Sequence, residues 1–167
     1  MKEIKHEFLN ENPFKMIGND WLLVTAKKGG KVNTMTASWG GVGVLWNKKV
    51  AYIFIRPQRY TKEFIDGSDK LSLSVLPEKF RKELTYLGRV SGRDEDKISK
   101  SGLTVKDYED VPYFEEARLT FICKKLYAQE LEEGCFIEEG LIEKNYPNKD
   151  YHTMYVVEIE KILEKDN

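Results

Sequence analysis

The feature that most constrains the fold is the way apolar, β-rich runs follow one another through turns, without regular crossover helices between them. Trp21 to Ala26 is such a run. Lys27-Lys28-Gly29-Gly30-Lys31 is a turn signal and Val32 to Trp39 a partner strand, so the three read as a hairpin. Gly40-Gly41-Val42-Gly43 reads as a break in that strand. Val50 to Ile55 is the next strand, ended by Pro57. Leu71, Leu73 and Val75 alternate with Ser72, Ser74 and Leu76, a period-two pattern with one buried face. Leu119, Phe121 and Cys123 mark a strand running to about Leu126, and Tyr155 to Ile162 is the last. About six strands joined in this way favour a mainly β, antiparallel barrel with short helices over a doubly wound parallel sheet.

The short helices have their own signals. Asn12-Pro13 reads as an N-cap and first helical position, with Phe14, Met16 and Ile17 on one face and Gly18 stopping the turn. Thr61 to Asp66 reads as a helix with Thr61 as N-cap and Gly67 as its stop. Pro77 opens a helix whose Phe80, Leu84 and Leu87 share a face, and Gly88 closes it. Asp94-Glu95-Asp96 fall in the first turn of another, ended by Gly102. Residues 1–12 read as a loose arm or edge strand and 104–116 as a loop. Residues 127–146 suit either helix or strand, and Glu164 to Asn167 form a polar tail that frays. With no repeat, linker or low-complexity segment, the 167 residues are expected to form one domain with its own core.

Charge and cysteine content narrow the function. A formal net charge of −1 argues against a general nucleic-acid or anionic-membrane binder. No apolar run approaches membrane-spanning length, and the N-terminus lacks the apolar core of a signal peptide. Cys123 and Cys135 form no C-x-x-C, and His6 and His152 are too few for a familiar zinc spacing, so no metal site is expected. Both thiols read as buried and reduced, which suits a cytoplasmic protein.

Several constellations could carry chemistry, each beside a blander explanation. Arg56 and Arg59 precede the helix at Thr61, where a cation is locally unfavourable by roughly a few tenths of a kcal/mol. An anion held there would account for them, since Arg binds it bidentately and Thr offers a hydroxyl; two solvated arginines in a turn would also do. Asn33 to Trp39 is poor in the bulky aliphatics of a core strand. It suits a ligand with ring nitrogens and carbonyls, or a polar edge strand plugged by Trp39. Ser91-Gly92-Arg93 could face a phosphate or merely lead into a helix. His152 could hydrogen-bond a ligand, although a surface or interface histidine is the simpler reading, and Tyr146 and Tyr151 could simply pack. Ser38 lacks the first glycine of G-x-S-x-G, and Gly40-Gly41-Val42-Gly43 is neither a dinucleotide nor a phosphate loop.

The combination is more specific than its parts. Asn33-x-Met35-Thr36-x-Ser38-Trp39-Gly40, an apolar strand, then Arg56-Pro57-x-Arg59-x-Thr61 resembles the flavin reductase-like family, in particular its flavoredoxin branch. Val90-Ser91-Gly92-Arg93-x-x-Asp96-Lys97 with Ser101-Gly102-Leu103, and Asp150-Tyr151-His152-x-Met154-Tyr155, extend the likeness over about residues 10 to 163. The resemblance implies an FMN-binding split β-barrel that forms a homodimer, with FMN near the interface. It implies that Asn33, Thr34, Met35, Thr36, Ala37, Ser38 and Trp39 line the isoalloxazine ring. It places the 5′-phosphate at Arg56, Gln58, Arg59, Tyr60 and Thr61, with Ser91, Gly92 and Arg93 near the phosphate or ribityl end. The implied activity is electron transfer from NAD(P)H or a redox protein to flavin, iron or another acceptor. No side chain stands out as an acid–base catalyst, because in such chemistry the cofactor performs the hard step. The alternative is a non-catalytic module: a flavin-binding protein without turnover, or a small barrel that binds a partner or single-stranded nucleic acid on its aromatics. The absence of a basic stripe among those aromatics counts against nucleic acid.

Overall fold

A computed structural model describes residues 1–165. Ten strands lie among the described residues: β1 Lys2–Ile4, β2 Leu22–Lys28, β3 Lys31–Ala37, β4 Gly40–Leu45, β5 Lys48–Ile55, β6 Lys70–Val75, β7 Val105–Tyr108, β8 Val111–Phe114, β9 Leu119–Glu130 and β10 Thr153–Glu164. The helices are α1 Tyr60–Asp66, α2 Arg81–Arg89, α3 Lys97–Ser101 and α4 Leu141–Asn145. All pairings in the main sheet are antiparallel, in the order β3-β2-β6-β9-β10-β5-β4, with β1 added to β10.

That order explains the shape. β3 and β4 are opposite ends of the hydrogen-bonded path, yet only Ser38 and Trp39 separate them in the chain. A flat sheet could not bring its two edges that close, so the sheet curls into a barrel split between β3 and β4. The barrel interior is filled by Met16, Val24, Met35, Ile53, Ile55, Phe64, Leu71, Leu73, Phe121, Tyr155 and Val157. A second cluster outside the barrel, Leu23, Leu76, Leu84, Leu87 and Phe114, joins α2 to β2, to β8 and to the residue after β6, and α2 also lies along β3. Fully burying a side chain such as Leu84 or Leu87 is worth roughly 1.5–3 kcal/mol, so α2 is firmly seated.

Gly29 and Gly30 both have positive φ, 56° and 76°, and close the β2–β3 hairpin expected from the sequence. Other expectations are corrected. The glycine stretch after Trp39 does not break the sheet; it is β4, paired residue for residue with β5 through a tight turn at Trp46-Asn47. Gly40 is needed there because its φ is 153° and a Cβ would lie 2.5 Å from the Tyr52 carbonyl oxygen.

β6 is buried on both faces, not one. Its serines face the outer layer and are satisfied internally: Ser72 donates to Pro112 O, and Ser74 and Thr120 share a hydroxyl bond at 3.1 Å. Residues 105–114 form the β7–β8 hairpin rather than a loop. β9 runs to Glu130, and the ambiguous region after it holds a short 3-10 turn and α4. The helix after Asn12 continues past Gly18 to Asp20 with wide, π-type turns. Gly88 lies inside α2, where a Cβ would sit 3.1 Å from Thr36 Cβ. Cys123 is buried as expected, but Cys135 is exposed because the 3-10 turn carrying it lies at the surface. Glu164 closes β10 and Lys165 N donates to Arg118 O, while the remainder of the expected frayed tail, 166–167, lies outside the described residues. No helix among the described residues is long and apolar enough to cross a membrane.

Candidate functional site

β5 ends at Ile55, and Pro57 cannot continue the ladder, so the chain turns with Arg59 N donating to Arg56 O at 3.1 Å. Arg59, not Thr61, occupies the N-cap position of α1; its backbone is extended and makes no side-chain cap. Thr61 lies one residue inside the helix and is buried, its hydroxyl engaged by Asn33 Nδ2 at 3.0 Å rather than by its own turn.

This turn packs beside the C-terminal end of α2. Arg59 donates to Gly88 O at 2.6 Å, and Lys97 Nζ donates to Leu87 O and Val90 O, each at 2.8 Å. These carbonyls are those a helix leaves unpaired at its end. The helix end supplies only about half a negative charge, against one buried cation, Lys97, and one half-buried cation, Arg59. No carboxylate pairs with either cation among the described residues. Burial, and then Arg56, pull Arg59 below its ordinary value; burial, and then Arg59, bring Lys97 down to about 8. A surplus of positive charge is therefore held inside the protein. It faces a cavity of about 350 Å³ lined by Arg59, Thr61, Arg89, Val90, Ser91 and Lys97, among others.

A second cavity of about 250 Å³ opens at the barrel split and shares Met35, Arg56 and Arg59 with the first. Thr36, Ala37, Ser38, Trp39, Phe54 and His152 complete it. Together the two match the size of small-molecule sites, about 300–1,000 Å³. This end is aromatic and neutral. Trp39 and His152 lie with ring centroids 5.3 Å apart, and His152 Nδ1 shares a 2.8 Å hydrogen bond with the Tyr146 hydroxyl. Burial, and then Arg56, push His152 down to about 4, so it is uncharged at neutral pH. His152 is only 7% exposed, which corrects the surface half of the surface-or-interface expectation.

Arg56 is largely committed elsewhere. It pairs with Asp150, donates to Asn145 O at 2.7 Å and lies over the Tyr146 ring. Asp150 also accepts from Gln58 Nε2 at 2.8 Å. Arg56 thus ties the 145–150 segment to the end of β5, while Arg59 faces the cavity without a counter-ion among the described residues.

The remaining sequence-nominated residues divide clearly. Met35, Thr36, Ala37, Ser38 and Trp39 line the neutral end; Gln58, Tyr60, Thr61 and Ser91 line the cationic end. Asn33 and Gly92 lie behind Tyr60 in an adjoining cavity of about 420 Å³. Thr34 is fully buried and bonded to Thr25 and to Val24 O. Arg93 is turned away, paired with Glu63 and stacked on Tyr60. Lys97, Arg89, Val90 and Phe54 line the groove without having been nominated. Val90 and Lys97 stand in the motif that carries the family resemblance, and Lys97 also lies beside an acidic helix start, but that start marks a helix rather than a cavity. Among the described residues no group of three or more His, Cys, Asp or Glu could hold a metal ion.

The family model for the flavin reductase like domain matches residues 16–167. No curated protein sequence matches the chain. Among solved structures, the flavoredoxin of Methanosarcina acetivorans has a TM-score of 0.68 at 24% identity, covering 99% of this chain and 77% of that one. The flavoredoxin of Desulfovibrio vulgaris (Miyazaki F) has a TM-score of 0.69 at 21% identity, covering 87% and 69%. An FMN-binding protein from Thermus thermophilus, solved with bound p-hydroxybenzaldehyde, has a TM-score of 0.69 at 18% identity, covering 100% and 83%. At these identities the likeness shows the fold, the split barrel deduced above from the strand order.

Proposed function

The chain belongs to the flavin reductase-like family, and on that premise we propose that it binds FMN and works as an FMN-dependent oxidoreductase. The observation that carries this reading is one groove with two unlike ends. Buried Lys97 and half-buried Arg59, with no carboxylate partner among the described residues, sit at one end, and a neutral aromatic slot lies at the other. FMN has the same polarity: a phosphate dianion joined by a ribityl chain to a flat, uncharged ring.

The residues present fit that group. Arg59 and Thr61, with Ser91, would hold the phosphate, Arg giving two parallel N–H donors and the hydroxyls completing the set. Met35 to Trp39, with Phe54, would bound the ring, supplying main-chain N–H groups from β3 and the Ser38 hydroxyl. His152, neutral and fixed through Nδ1 by Tyr146, leaves Nε2 free to hydrogen-bond at the ring end. When bound, FMN supplies the hydride and single-electron chemistry that no side chain here possesses. The protein's share is to position, to exclude water and to set the hydrogen bonds around the ring.

The electron donor is a reduced nicotinamide or a redox protein. Phe14, Trp39, Val44 and Trp46 are exposed beside the ring end and along the open edge of β4, with Phe14 85% exposed. Such an apolar edge supports a homodimer with the ring end near its interface. The test is the visible spectrum of the purified protein, a titration with FMN, and anaerobic addition of NADH and of NADPH. Flavin absorbance that bleaches on reduction is expected. A colourless protein that takes up no FMN at micromolar concentration would overturn the reading.

A further inference from the structure

Lys97 is 4% exposed and opens α3, yet its ammonium makes no ion pair among the described residues. Two of its three N–H donors go to Leu87 O and Val90 O. The groups facing it are mostly cationic. Arg59 and Arg89 share its cavity from the β5–α1 turn and from α2, and Lys31 of β3 lines the adjoining one. Arg56 is already paired with Asp150. The nearby carboxylates are occupied: Asp96 accepts from Ser99 N and Oγ, and Glu95 pairs with Lys100 and accepts from Tyr86. Tyr60, the remaining titratable wall, presents a phenol ring to both cavities. A buried lysine of this kind is costly without an anion.

We propose that Lys97, through its third N–H and alongside Arg59, selects a terminal phosphate monoester at this end of the groove over a phosphodiester or an unphosphorylated flavin. This rests on the FMN reading and names what that site discriminates. A monoester phosphate is largely a dianion above about pH 6, whereas a diester carries a single negative charge. Buried Lys97 and half-buried Arg59, against about half a charge from the helix end, leave roughly one and a half charges to balance, which a monoester at about −1.5 to −2 supplies and a diester at −1 does not.

A measurable linkage follows. The free site holds Lys97 near 8, and a bound dianion raises it, so binding near pH 8 takes up a proton. Affinity for the monoester therefore falls as pH rises past about 8, by up to about tenfold per unit. Riboflavin, lacking the phosphate, shows no such fall.

The experiment is titration of the whole protein with FMN, FAD and riboflavin at pH 7, 8 and 9, with calorimetry at pH 8 in two buffers of different ionisation enthalpy to count protons. Lys97→Met is measured alongside, with circular dichroism to verify folding. Wild type is expected to take up a fraction of a proton with FMN. Lys97→Met is expected to lose about 10- to 100-fold in FMN affinity, to lose the alkaline fall, and to change less than about threefold for riboflavin. Equal losses for FMN and riboflavin, or wild-type FMN binding without proton uptake, would overturn the proposal. If Lys97→Met does not fold, the proton count on wild type decides. If no flavin binds wild type, the FMN reading fails by itself. Phenyl phosphate then settles the phosphate site, which stands if the compound raises the wild-type melting temperature and falls if it does not.

Discussion

Asn33 Nδ2 donates to Thr61 Oγ1 at 3.0 Å in the protein interior, so a side chain of β3 holds the first turn of α1. On its other side, Asn33 Oδ1 fills the space that a Cβ on Gly92 would take. One buried amide thus fixes three segments relative to one another: the strand that bounds the neutral end, the turn that bears Arg59, and the turn that bears Ser91. This accounts for a polar strand inside a barrel, since Asn33 and the neighbouring Thr34 are both buried and both bonded.

Asn33→Ala should lower stability by about 1–3 kcal/mol, because the Thr61 hydroxyl is left buried without its donor. FMN affinity should fall as well, since Thr61 and Arg59 lose their fixed position. Urea denaturation and flavin titration check both. An unchanged unfolding midpoint would show that the bond contributes nothing.

Gly92→Ala tests the other side of the same amide. The new methyl would meet Asn33 and lie 3.2 Å from Tyr60 Cδ1. Asn33 is held by Thr61 and cannot simply turn aside, so a cost of about 1–3 kcal/mol is expected. In an Asn33→Ala background the same substitution should cost clearly less. A double-mutant cycle reads this directly, and additive costs would mean that the two residues do not press on one another.

These residues also mark where the sequence was legible. Gly29-Gly30 and the alternation at Leu71–Val75 report local demands, a positive φ and a core face, and both were readable. β4 was not, because its glycines carry no β signal; its pairing with β5 is what makes it a strand. The serines of β6 looked solvent-facing because nothing local announces the β7–β8 hairpin that lies over the strand. The neutral end of the groove was legible as a run, Met35 to Trp39. The division of labour between Arg56 and Arg59 was not, since it depends on Asp150, 94 residues away from Arg56. Lys97 was invisible as a pocket residue for the same reason: its burial comes with the C-terminal end of α2, whose carbonyls it caps, not from its neighbours in sequence.

That division predicts a split between two similar substitutions. Arg59→Gln should weaken FMN by about 10- to 100-fold with a smaller effect on stability, because Arg59 faces the cavity and has no counter-ion. Arg56→Gln should act mainly on stability, because it leaves Asp150 with Gln58 but no charged partner, its Oδ1 already lacking one, and releases Asn145 and Tyr146. Thermal melts and FMN titrations on both variants give a two-by-two comparison. Equal affinity losses would place the phosphate between the two arginines rather than beside Arg59.

The aromatic end carries a pH signature. His152 is buried against Trp39 and Tyr146, and burial, then the charge of Arg56, push it from 6.5 to about 4. Between those values the unfolded chain binds a proton that the folded protein does not. Stability linked to neutral His152 is therefore complete above pH 6.5 and is lost as pH falls towards 4, by up to about 3 kcal/mol. His152→Gln should show a shallower loss of stability between pH 6.5 and 4 than the wild type in urea titrations. The imidazole carbon and nitrogen resonances of His152 should stay those of the neutral ring down to about pH 5. A ring that titrates near 6.5 would mean that water reaches it freely, and that the ring end of the groove is not the dry, uncharged slot that its walls describe.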